Sequence, residues 1–145
     1  MTVYVDDLQL AAAVPNGARV VSGRWSHLLA DTGPELDAFA ARLGLHPAWI
    51  QQPGTASEHY DVTARKRLHA LRFGAVAIGY AETGHLITCR RHGIRFDLDL
   101  LRRDKAAFYS RLDQVRLDQA WLDPAIDCAD PGAGEASAGH RDGTR

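Results

Sequence analysis

Apolar and polar positions along the 145-residue chain switch between a period of two and a period of three to four. Thr2 to Val5 is a β-branched and aromatic run stopped by Asp6 and Asp7, the pattern of a buried strand ending in a loop. Val14-Pro15-Asn16-Gly17 is a turn signal, so residues 8–20 read as an excursion before the next strand. From Arg24 to Ala30 the residues Trp25, His27 and Leu29 alternate with Ser26, Leu28 and Ala30, predicting a second strand with His27 on the Trp25 face. Thr32-Gly33-Pro34-Glu35 then has capping-box spacing, and Leu36, Phe39, Ala40 and Leu43 share one face of a helix over 34–43 that Gly44 stops. Residues 49–51 suit a brief strand, and Pro53 to Ser57 a loop. A second helix is expected over 63–73, with Ala64, Leu68 and Leu71 inward, followed by a strand over 76–80.

Thr83-Gly84 and His92-Gly93 punctuate the next run into pieces, 86–90 and 94–96, that suit hairpin strands. Beyond Phe96, Leu98, Leu101, Phe108, Leu112 and Val115 keep a helical seam, predicting a charged helix over 98–119. The seam is narrow, like a helix-pairing stripe, which allows a homodimer. These elements give a single small α/β domain over 1–125, with a short, at least partly parallel sheet, flanking helices, a hairpin region and a charged C-terminal helix. Residues 126–145 lack an apolar cluster and are expected to be a disordered tail.

Composition narrows the function classes. Seventeen Lys and Arg against eighteen Asp and Glu leave a net charge of −1, which excludes a global basic field of the kind that coats nucleic acid. Cys89 and Cys128 lie far apart without zinc-like spacing. The N-terminus lacks a basic region followed by an apolar one, and no apolar run reaches membrane-spanning length. A cytoplasmic protein without membrane contact is the expectation.

The chemistry centres on His59-Tyr60-Asp61, with Lys66 and Arg67 soon after, and with Asp6, Asp7 and His27 as satellites. If the strands ending at Asp6, near Asp31 and before His59 are parallel neighbours, all three deliver their ends to one sheet edge, where open α/β sheets bind ligands. Asp6, His59 and Asp61 are then candidate ligands of Mg²⁺, Mn²⁺ or Zn²⁺, with His27, His59 and Asp61 as catalytic candidates. Lys66 and Arg67, in the first turn of a helix, would bind phosphate. Plainer readings compete: Asp61 and Asp31 suit helix caps, and His27 suits a satisfied core histidine.

Val3-Tyr4-Val5-Asp6-Asp7, then Trp25-Ser26-His27-Leu28 with Asp31-Thr32 and Glu35-Leu36, then His59-Tyr60-Asp61-Val62 leading to Lys66-Arg67 and Gly74-Ala75-Val76, resemble the bacterial and phage family called domain of unknown function 4031. The resemblance covers roughly residues 1–80. It marks Tyr4, Asp6, His27, His59, Tyr60, Asp61, Lys66 and Arg67 as positions matching the family's motifs, and implies no activity, substrate or cofactor. Two function classes fit the residues. One is a metal-assisted phosphoester hydrolase or nuclease; the other is a non-catalytic module that recognises a nucleotide, a nucleic acid end or a protein partner.

Overall fold

A computed structural model describes residues 2–122, and the side chains of residues 2–119. The expected tail, residues 126–145, and Cys128 lie outside the described residues. Among these residues six strands form one mixed sheet: β1 (Val3–Val5), β2 (Leu10–Asn16), β3 (Arg19–Ala30), β4 (Ile50–Gln51), β5 (His59–Thr63) and β6 (Val76–Ala77). Five α-helices accompany them among the described residues: α1 (Gly33–Arg42), α2 (Ala64–Arg72), α3 (Tyr80–Arg91), α4 (Leu98–Arg103) and α5 (Lys105–Leu122). The fold is α/β, as the pattern predicts.

The sheet order is β4-β5-β3-β1-β6, with β2 paired to β3 off this path. Only β1 and β6 pair in parallel, among the described residues; β3 runs antiparallel to β1, β2 and β5. The expectation of three parallel neighbours is therefore wrong. Its cause is the segment 8–20, which is no excursion but a hairpin: β2 and the first half of β3 pair from Leu10↔Trp25 to Asn16↔Arg19. The two-residue turn Gly17-Ala18 between them has Gly17 at φ 61, the glycine conformation that tight hairpins use. Reversal at this turn sends β3 back along β1.

Alternation along the strands sorts the core into two layers. Val5, Leu28, Ala30, Tyr60 and Val62 face α1 and α2, packing on Leu36, Phe39, Ala40, Leu43 and Ala70. Tyr4 and Leu29 face the other way, onto Ile78, Leu86, Cys89, Phe96, Leu101, Phe108 and Leu112. The start of α1 follows its sequence signal, since Glu35 reaches back to accept from Thr32 N (3.0 Å) and Thr32 Oγ1 (2.9 Å).

Further expectations need correction. The predicted hairpin strands 86–90 and 94–96 are not strands: residues 80–91 form α3. Gly79 is its N-cap, with Glu82 Oε2 accepting the Gly79 N–H (2.7 Å), and Thr83, Leu86 and Cys89 keep one buried face across Gly84. The strand expected over 76–80 accordingly stops at Ala77. The single helix 98–119 is two, because Asp97 caps α4 and Asp104 interrupts the chain to cap α5, each accepting an N–H three residues on at 2.9 Å. Its seam residues Leu101, Phe108 and Leu112 are buried in the chain's own core. In α2 the inward side is Ala70 with Leu71 packed beside it, while Leu68 is 56 % exposed and Ala64 is exposed.

Candidate metal centre

The pairing of β3 with β5 sets His27 directly across from Asp61. Side chains two apart on a strand share a face, so His59 joins Asp61, while Tyr60 and Val62 turn into the opposite core layer. The sequence His59-Tyr60-Asp61-Val62 is thus a strand with one polar and one apolar face. The sequence reading ends its strand before His59, whereas the structure places His59–Thr63 within one.

His27 Nε2 lies 3.9 Å from Asp61 Oδ1, and His59 Nε2 lies 3.6 Å from the same oxygen. One ligand atom from each of the three residues fits within a mutual span of 4.8 Å. Ligands held tetrahedrally at about 2 Å from an ion stand about 3.3 Å apart, so modest side-chain shifts close the cluster on one.

The other ring nitrogens are already engaged. His27 Nδ1 is 2.6 Å from Asp6 Oδ2, and His59 Nδ1 is 2.7 Å from the carbonyl of Ser57. A carbonyl only accepts, so a neutral His59 ring carries its proton on Nδ1 and leaves Nε2 with a lone pair. Asp6 imposes the same arrangement on neutral His27. This is the carboxylate- or carbonyl-oriented histidine that metal sites employ.

Asp6 itself is completely buried and saturated. Oδ1 accepts from the backbone N–H of His27 (2.9 Å) and Leu8 (3.2 Å), and Oδ2 takes the His27 ring and Thr83 Oγ1 (3.3 Å). Burial pushes the Asp6 carboxyl up, but hydrogen bonds from the His27 ring and backbone outweigh it and hold the group below its ordinary value. The Asp6 hydrogen bond raises the His27 pKa, against the opposing effect of burial. His27 is also fixed by aromatic neighbours: His59 meets it edge-on at 5.0 Å, and Tyr80 stacks on it at 5.8 Å. Tyr80, at the start of α3, is pinned through its N–H to Asp7 Oδ1 (2.7 Å).

The remaining expected residues divide. Arg67 Nε donates to the Asp6 carbonyl (2.7 Å), so its guanidinium borders the cluster's support. Lys66 Nζ donates to the Leu43 carbonyl at the end of α1. Asp31 accepts from Tyr4 Oη (3.1 Å); burial, then the Asp31 charge, push that phenol up to about 12. Tyr60 Oη donates to Asp37 (3.2 Å) on the far layer. Neither Asp31 nor Asp61 is a helix cap: Thr32 is the N-cap of α1, and Thr63 Oγ1 accepts from Lys66 N to cap α2. Thr83 and Tyr80 are missed by sequence reasoning, which ends a strand at Tyr80 and breaks the chain at Thr83-Gly84 where the structure has one helix; the Gly79-x-x-Glu82 spacing is the signal.

A family model described as protein of unknown function (DUF4031) matches residues 3–90. The match runs past residue 80 and takes in nearly all of α3, with Tyr80 and Thr83. No curated protein and no solved structure gives a significant match.

Proposed function

The chain belongs to the DUF4031 family of proteins of unknown function, and we propose that it is a metal-dependent hydrolase of phosphoesters. The observation carrying this reading is the set of three converging ligand atoms, His27 Nε2, His59 Nε2 and an Asp61 carboxylate oxygen, two of them on rings whose other nitrogen is already fixed. Two imidazoles and one carboxylate suit zinc or another late first-row ion better than Mg²⁺, which prefers oxygen ligands throughout. Such an ion supplies an activated water and a Lewis acid.

The roles of the chain's own residues follow. His27, His59 and Asp61 hold the ion. Asp6 is a positioning residue that sets the His27 tautomer, with Thr83 and two backbone N–H groups holding it in place. Asp61 is 41 % exposed at its side chain, so the cluster is open to substrate, and its unused oxygen can take a proton from water. Arg67 is the cation for the phosphate: its Nε is anchored on Asp6, and its terminal nitrogens have no hydrogen bond or ion pair among the described residues. Lys66 is committed to α1 and drops out of that role.

Titration of the metal-free protein with Zn²⁺, Mn²⁺ and Mg²⁺, followed by thermal melts, tests the site. Zn²⁺ or Mn²⁺ should raise the melting temperature, and Asp61→Asn should abolish the rise. Hydrolysis of a generic phosphodiester and of nucleotide substrates should need the ion and be lost in the same variant. Ion binding without turnover would favour the non-catalytic module instead; no ion effect on the wild type would sink the metal reading.

A further inference from the structure

One cavity among the described residues lies away from the histidine cluster. It has a volume of about 810 Å³ and lies at the other end of α3, between Arg90, Arg91 and Arg95 on one side and the Gly54-Thr55-Ala56 loop and the start of α1 on the other. Ten residues of helix separate Tyr80 from Arg90, roughly 15 Å along the axis. The volume falls in the range of small-molecule sites.

The arginines are held by a built turn. Gly93 N donates to Arg90 O (3.1 Å) and Ile94 N to Cys89 O (2.9 Å), with Gly93 at φ 64, the paired bonds of a Schellman ending. Arg91 and Arg95 flank that turn and make no ion pair with the described residues. Arg90 is pre-set from behind: NH1 donates to the Glu58 carbonyl (3.0 Å), and NH2 lies 3.8 Å from Glu58 Oε1. Glu58 is in turn seated by Gly54 N on Oε2 (2.6 Å), and under Gly33, where a Cβ would come within 2.8 Å of Oε1. The carboxylates lining the cavity are engaged, Asp31 by Tyr4 Oη and Glu35 by Thr32.

We propose that this cavity binds a small organic phosphate monoester, its phosphate received by Arg91 and Arg95 beside Arg90, and its organic part lying against the apolar wall of Leu86, Ile94 and Phe96. Guanidinium groups match phosphate oxygens in pairs, and the space is far larger than a lone phosphate fills. None of these groups belongs to the His27–His59–Asp61 cluster.

The test is calorimetric titration of the full chain with adenosine 5′-monophosphate, ribose 5-phosphate, adenosine and inorganic phosphate. At least one of the two monoesters should bind saturably and more tightly than adenosine or inorganic phosphate. Arg91→Gln with Arg95→Gln, both exposed and without an ion pair among the described residues, should weaken that binding by at least about tenfold, and Asp61→Asn should leave it unchanged. Amide shifts on binding should centre on Gly54, Thr55 and Gly93. Failure of both monoesters, equal binding of adenosine or inorganic phosphate, an unaffected double variant, or loss of binding in Asp61→Asn would each overturn the proposal.

Discussion

Asp6 carries four hydrogen bonds on a fully buried side chain, so replacing one oxygen by an amide nitrogen sets donor against donor. Asp6→Asn should lose roughly 1–3 kcal/mol in chemical denaturation, and, if His27 ligates as proposed, ten- to a hundredfold in ion affinity by calorimetry. Ser26, beside His27 but on the opposite face, presents the contrary case. It is 2 % exposed and its Oγ has no partner among the described residues, so Ser26→Ala should be neutral or stabilise by up to about 1 kcal/mol in the same assay. At this scale the sequence was informative about residue type and poor about role. His27, His59 and Asp61 were all candidates, but only the cross-strand register tells that Asp6 supports His27 and that Tyr60 faces away.

Among the elements, α3 departs furthest from expectation. Glycine in its second turn and threonine before it look like a turn, yet the cap at Gly79 and the Thr83-Leu86-Cys89 stripe outweigh a helix penalty of about 1 kcal/mol for Gly84. Glu82 ties the cap to α4: besides Gly79 N it takes Arg102 Nε and NH2, each at 2.8 Å. The Arg102 hydrogen bonds hold the Glu82 pKa below 4.5. A depressed carboxylate contributes stability in full above its unfolded pKa of 4.5, and that contribution disappears as pH falls through the lower folded value. Glu82→Gln should therefore cost about 0.5–1 kcal/mol at neutral pH, and the gap from wild type should close in denaturation curves taken at strongly acid pH. Legibility of elements tracked signal density. The start of α1 had a proline, a cap and a box together, whereas α3 had only the box.

The molecule as a whole buries two apolar layers on one sheet. Leu36→Ala on the α1 side and Leu86→Ala on the α3 side, both fully buried, should each cost about 2–5 kcal/mol by denaturant unfolding. The class of fold was readable from alternating periods, but strand direction was not, since it depends on the reversal at Gly17-Ala18. Asp6 joins the two layers' ends in a way that bears on time as well as space. Its side chain bonds to groups 21 and 77 residues away, and its carbonyl to one 61 residues away. Loops of that length close slowly and late, so the β2–β3 hairpin can form early while the histidine cluster waits for the chain's middle to return. The backbone amide of His27, whose hydrogen sits on the buried Asp6 carboxylate, should then be among the last to exchange with deuterated solvent. Its exchange rate should follow global unfolding and lag far behind that of the exposed hairpin.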